Sequence, residues 1–407
     1  MSDFHQSACV ATLHRLDAGN LETLERELEA FAGRVPIALV LPCLFAEFSR
    51  PAIWHIIEEL RYIRYIDTIV VSLAQATQEE FCRASAAFAR LPQRVCIIWN
   101  DSPSVQRLHA LLRDSGLDPG PDGKGRGCWM AYGYLLADGR CRAVATHDCD
   151  ITTYSRELLA RLCYPVVHPD LRFEFAKGYY ARVNGTLNGR VTRLFVTPLI
   201  RALASVVGCT PMLTYLDSFR YPLAGEFAMR LDLARVSRMP ANWGLEVGML
   251  AEAYRNCGAS TICQTELCAN YDHKHQVVSA GNPEKGLMRM SVEIGQTLLR
   301  ALGAEGVVLG EAEANALAVR YVRLAQDTIR GYHADALINT LTFDRHGEES
   351  MIDAFAAGLR LACRRHLDDA LGVPMMPSWL RVTAAEPEFP DLLKKAVDED
   401  APVTAAA

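Results

Sequence analysis

The stretch AVATHDCDITTY, residues 143 to 154, ends an apolar run in two aspartates with one cysteine between them. Alternate side chains of an extended chain face the same side, so Asp148 and Asp150 converge while Cys149 points the other way and packs inward. Two converging carboxylates invite a divalent cation; the plain alternative is two solvated acids in a turn. A second group is the G-K-G triplet at residues 123 to 125, ahead of the helical-looking CWMAYGYLLA. Backbone N–H groups and the Lys124 ammonium there suit a diphosphate. The triplet lacks the full G-x-x-x-x-G-K-[ST] pattern, so it is not a P-loop, and taken alone it also reads as a surface loop.

Four further stretches carry polar side chains of chemical interest. N-G-R-V-T, residues 188 to 192, sets Arg190 and Thr192 in a loop or at a helix start, where they can take an anionic group. YPLAGEFAM places Gly225 and Glu226 in a tight turn, and NWGLEVGMLAEAY puts Glu246 at the head of an apolar helix. YDHKHQ offers His273 and His275 on one side of an extended segment, with Lys274 on the other. Trp99, Trp129 and Trp243 read as core.

These groups need a frame, and the alternation of the chain predicts one. VPIALVLP (35 to 42), IDTIVVSL (66 to 73), RVCIIWN (94 to 100) and CRAVATHD (141 to 148) are short apolar runs separated by longer helical patterns. That rhythm is the mark of a parallel sheet with helices on its faces, and ligands bind such sheets beyond the carboxyl ends of the strands. LETLERELEAFAG predicts a helix from Leu21, stopped at Gly33, while LDPGPDGKGRG, 117 to 127, reads as irregular. From residue 288 the three- and four-residue apolar spacing of SVEIGQTLLRAL, EANALAVRYVRLAQDTI and MIDAFAAGLRLACRRHLDDAL predicts helices that serve packing, pocket walls or assembly. The expected organisation is a helical segment 1–34, an α/β domain 35–287 with one half to about 150 and the other after it, a helical region 288–395 and a disordered tail 396–407.

Composition narrows the function classes. A net charge of −6 argues against nucleic acid as the main partner, which needs a positive footprint. Thirteen cysteines, an odd number without a C-x-x-C pair, point away from a zinc ribbon or disulfide framework and toward reduced thiols in a cytoplasm. No window is long and apolar enough to predict a membrane span, and the first residues do not read as an export signal.

Taken in order, PCLFAE, GKG, DCD, KGYYAR followed by NGRVTR, PLAGEF, WGLEVG and DHKHQ resemble the glucosyl-3-phosphoglycerate synthases, retaining glycosyltransferases of GT-A fold, over roughly residues 35 to 280. The resemblance implies an α/β, Rossmann-like nucleotide-sugar sheet and a donor such as UDP-glucose or GDP-glucose; the nearest rival within the transferases is a glucosylglycerate or mannosylglycerate synthase using free glycerate or a mannosyl donor. It implies that Asp148 and Asp150 hold a metal on the donor diphosphate with His273 as third ligand, and that Asp150 and Glu246 stand at the reaction centre. Glu47, Ser72, Lys124, Asp148 and Gly225 would face the donor, and Arg190, Val191, Thr192 and His275 the acceptor, 3-phosphoglycerate or glycerate. Where the family carries an aspartate and a Gly-Ser-Thr-Asp turn after the second strand, Ser72 and Gln75, or Asp101 after the next strand, would take over. Oxygen ligands with open positions favour Mg2+ or Mn2+, and a histidine ligand tilts toward manganese. A homodimer is expected. Two other classes share these features: a nucleotidyltransferase, which would release pyrophosphate, and a nucleotide-sugar sensor, which would need no metal-dependent turnover.

Overall fold

The structure is a computed structural model and describes residues 6, 9–16, 20–273 and 285–401. Eight strands form one sheet: β1 (Ala11–Leu13), β2 (Ile37–Leu44), β3 (Ile66–Ala74), β4 (Arg94–Trp99), β5 (Ala143–Thr146), β6 (Phe175–Tyr180), β7 (Phe227–Arg230) and β8 (Ile262–Cys268). Their order is β1-β8-β6-β7-β5-β2-β3-β4. The four runs expected from sequence form β2 to β5, which pair in parallel. The sheet is mixed rather than wholly parallel, because β7 runs antiparallel between β5 and β6.

Both faces of the sheet are covered, which is why β2 reads as an unbroken apolar run. Ala38 and Val40 join a core on one face, and Ile37, Leu39 and Leu41 join the core on the other. The first face carries the buried helix Lys124–Asp138, and the second carries the helices Pro51–Leu60, Gln78–Phe88 and Arg156–Val167.

Two terminal expectations change. The N-terminal segment is not only helical: the helix Leu21–Ala32 is present, but Ala11–Leu13 extends the sheet edge beside β8. Residues 396–400 do not belong to a disordered tail, because the helix Phe389–Asp400 includes them and buries Phe389, Leu393, Ala396 and Val397. Every third or fourth position of that helix is apolar, enough for one stripe to pack on the helices Lys124–Asp138 and Pro103–Asp114. The C-terminal region also docks through Trp379, whose indole stacks on Trp129 at 4.4 Å between centroids. Gly133 makes room for that ring, and each indole N–H donates to a carbonyl across the junction.

Candidate active site

A cavity of about 590 Å³ opens beyond the carboxyl ends of β2, β3 and β5, where a parallel sheet leaves its loops free to shape a site. Asp148 and Asp150 follow β5 directly, and the chain alternates as expected: Cys149 is buried while both carboxylates reach the cavity. His273 arrives from the segment after β8, fixed by an isolated antiparallel bridge to Ile151. One ligand atom from each of Asp148, Asp150 and His273 lies within 4.8 Å of the others. Two carboxylate oxygens and an imidazole nitrogen at that spacing fit magnesium or manganese.

The electrostatics point the same way. Burial and the negative charges of Asp148 and Glu47 push the Asp150 carboxyl up to about 7. For Asp148, burial raises the pKa, but the Lys124 ammonium reverses this through charge and hydrogen bond, and the net direction is down. Lys124 is itself held well above its ordinary value: desolvation works against the charge, and Asp148 and Glu246 overcome it. Its Nζ lies 2.6 Å from Asp148 and 2.9 Å from Glu246. The helix begins at Lys124, with Gly123 as its N-cap, so the glycine-rich stretch is less irregular than its composition suggests. This places the ammonium on a helix N-terminus, where an anion is favoured twice.

Gly225 sits against this pair. A Cβ there would lie 2.6 Å from Asp148 Oδ2 and 2.9 Å from Lys124 Nζ, so only glycine lets the turn approach so closely. Behind the turn, fully buried Lys177 donates to the Ala224 carbonyl at 2.6 Å, and burial lowers its pKa to about 8. Glu226 accepts from the hydroxyls of Tyr180 and Tyr271, both at 2.6 Å, and these two rings stack at 3.8 Å. Burial and Asp148 raise the Glu226 pKa. Tyr271 stands two residues before His273, so this buried carboxyl braces the segment that delivers the histidine.

Glu47 and Ser72 line the cavity from β2 and β3, Glu47 on the short 3-10 turn Phe45–Ser49. Ser72 Oγ accepts from Asn100. Gln75 also lines the cavity, whereas Asp101 does not: its carboxylate accepts from the Ala76 N–H. Arg190, Val191 and Thr192 also line the cavity, opening a π-helical turn, Val191–Val196, that runs into the helix Thr197–Val207. The buried Thr192 Oγ1 and Arg182 Nε have no hydrogen-bond partner among the described residues, so each is left for a ligand or a water. Glu246 stands in the first turn of the helix Leu245–Asn256. His275, expected at the acceptor, lies outside the described residues. Trp243 is not core: it is 38% exposed and lines the cavity. Sequence reasoning missed Arg182 as a site residue although it lies within KGYYAR; its position shortly before N-G-R-V-T was the available signal.

No family model matches the chain. The glucosyl-3-phosphoglycerate synthase of Persephonella marina is 48% identical over 400 residues, 98% of this chain and 99% of its own. The chain belongs to the glucosyl-3-phosphoglycerate synthase family. It is therefore a glycosyltransferase. The synthase of Methanococcoides burtonii is 40% identical and covers 98% of each chain. Among solved structures, the synthase of Mycobacterium tuberculosis in complex with Mn2+, UDP-glucose and phosphoglyceric acid matches with a TM-score of 0.54. That match covers 73% of this chain and 89% of the other at 23% identity, and it bears out the GT-A fold expected for the sheet.

Proposed function

We propose that this enzyme moves glucose from UDP-glucose or GDP-glucose to the 2-hydroxyl of 3-phospho-D-glycerate, with retention and with a divalent ion at Asp148, Asp150 and His273. The observation that carries this reading is a single cavity lined both by a carboxylate–histidine cluster beside Lys124 and by Arg190, Thr192 and Arg182. A nucleotide sugar and a phosphorylated acceptor both bring anions, and Lys124 and the two arginines offer cationic groups from different elements to meet them.

Bound magnesium or manganese would supply the charge that offsets the departing diphosphate. Lys124 adds a second positive group there, kept protonated by Asp148 and Glu246. In the proposed transfer the bond from the sugar C1 to the phosphate oxygen breaks, the bond from C1 to the acceptor O2 forms on the same face, and the hydroxyl proton passes to the departing phosphate oxygen. Glu246, facing the cavity beside Lys124, accepts hydrogen bonds from the sugar hydroxyls. Because Asp148 and Glu246 are both engaged by Lys124, neither is placed as a free covalent nucleophile of the paired-carboxylate type. The relatives' names and the ligands of the mycobacterial complex support the same donor, acceptor and metal. We also infer a cytoplasmic homodimer, which sedimentation of the purified chain checks.

Steady-state kinetics of Arg190→Ala test the acceptor site. Hydrogen bonds to charged groups contribute about 1.5 to 3 kcal/mol, so the acceptor KM should rise roughly 10- to 150-fold while that of the donor stays within about twofold. Equal damage to both substrates, or a wild-type preference for free glycerate, overturns the phosphate-reading role.

A further inference from the structure

The C-terminal helical region supplies one buried carboxylate to Arg190 on the cavity wall. Glu348, in the first turn of the helix Arg345–Asp368, is 4% exposed and lies 158 residues from its partner Arg190 in sequence. Its Oε1 accepts from Arg190 Nε at 3.1 Å and from Arg193 Nη2 at 3.2 Å, and its Oε2 accepts from Arg193 Nη1 at 2.8 Å. Arg193 also donates to the carbonyls of Leu187 and Asn188, at 2.9 and 2.8 Å, and its guanidinium lies 4.6 Å from the Tyr332 ring centroid. One carboxylate thus fixes the loop that carries N-G-R-V-T through Arg193 and fixes the guanidinium of Arg190 directly.

A guanidinium offers its donors along fixed edges, so the edge that Glu348 occupies decides which edge is left. With Nε spent on Glu348, the edge formed by the two Nη groups remains for a ligand, and Arg190 lines the cavity with its side chain 44% exposed. Two guanidinium groups around one carboxylate also leave the cluster one positive charge in excess, on the side where an anion would bind.

We propose that Glu348 is a positioning residue for the acceptor: it aims the Nη edge of Arg190 at the acceptor's phosphate, so that the C-terminal helical region forms part of the acceptor site and is more than packing. This rests on the reading that Arg190 meets that phosphate. An ordinary structural ion pair would hold helix to sheet domain and leave substrate discrimination alone, so kinetics separate the two roles.

The test is a double-mutant cycle on the full chain, with 3-phosphoglycerate and the nucleotide sugar varied separately. Glu348→Gln removes the charge, and Glu348→Asp, which keeps a carboxylate opposite Arg193 but is too short to reach both arginines, covers the case in which the glutamine variant fails to fold. Either variant should raise the acceptor KM about 5- to 50-fold with the donor KM within about twofold, and in an Arg190→Ala background it should raise the acceptor KM no further. Additive effects of the two substitutions, an unchanged acceptor KM in a folded Glu348→Asp protein, or equal losses for donor and acceptor overturn the inference while the Arg190 reading stands. An Arg190→Ala enzyme with wild-type acceptor KM overturns both.

Discussion

Replacing Gly225 by alanine isolates the donor-binding groups of the site. The new Cβ would stand 2.6 Å from Asp148 Oδ2, where ordinary contact begins near 3.4 Å, so about 0.8 Å must be found. The backbone cannot supply it easily. Ala224 is fully buried with its carbonyl held by Lys177, and the Glu226 carbonyl accepts from the Gly178 N–H at 2.9 Å. The side-chain ends give way instead, and those ends are the Asp148 carboxylate and the Lys124 ammonium. Both side chains are about a quarter exposed, so moving them costs little stability, and the melting temperature should fall by no more than about 3 °C. Displacing reacting geometry by about 1 Å typically costs around 100-fold in rate, so kcat/KM for the nucleotide sugar should drop by roughly 30- to 100-fold. Kinetics with the donor varied, together with a thermal melt, measure both quantities. Gly331→Ala, in the helix Glu311–Ile338 where an added methyl would meet nothing within 4 Å, is the matched control: it should leave donor kinetics unchanged and raise stability by about 1 kcal/mol, as alanine does for glycine in a helix interior. A folded Gly225→Ala enzyme with donor kinetics within twofold of wild type would refute the claim that this turn is packed onto working diphosphate-binding groups.

Three further outcomes are expected. Asp150→Asn should cut turnover at least about 100-fold without unfolding the protein, because it removes a charged ligand rather than core packing; excess chelator should reproduce the loss, and an active Asp150→Asn enzyme contradicts the assignment. Calorimetric titration of manganese alone should show affinity falling as pH drops below about 7, since the proton on Asp150 then competes with the ion; a flat profile from pH 5 to 8 contradicts this. His109 is fully buried, with neither ring nitrogen partnered among the described residues, and burial, with Arg126 and Arg113 nearby, lowers its pKa to about 4. Its folded value lies below the ordinary one, so stability is complete above pH 6.5 and is lost as pH falls toward 4. Between about pH 6.5 and 5 the loss is on the order of 1.5 kcal/mol, and urea melts of His109→Phe should show that much less acid sensitivity than wild type; equal acid loss in both contradicts the assignment.

The readability of this chain followed the range of the interactions. Strands β2 to β5 are apolar runs bounded by turn residues, and the aspartate pair sits at the end of one of them, so local pattern sufficed. The strands after residue 150 hide their period: β6 buries Lys177 and β8 buries Gln264, each satisfied by a partner that only the assembled sheet provides. The tail from residue 396 is acidic and rich in alanine, which reads as disorder until the helix Phe389–Asp400 finds its neighbours. The residues expected to meet a ligand stood in recognisable short motifs. Lys177 and Glu226 stood in two of the same motifs, KGYYAR and PLAGEF, but their bracing roles showed only in the assembled sheet; Glu348 stood in none, because a bracing contact needs only one side chain from a distant element, and it meets Arg190 across 158 residues.

The central claim is tested most directly by incubating the purified enzyme with manganese or magnesium, UDP-glucose or GDP-glucose, and 3-phosphoglycerate or glycerate, and identifying both products by mass and by the anomeric proton coupling. The account predicts glucosyl-3-phosphoglycerate with the α configuration of the donor, one nucleoside diphosphate released per glucose transferred, and no product once the metal is chelated. Pyrophosphate release, a β-linked product, transfer to free glycerate in preference to the phosphorylated acceptor, or undiminished turnover without metal would contradict it.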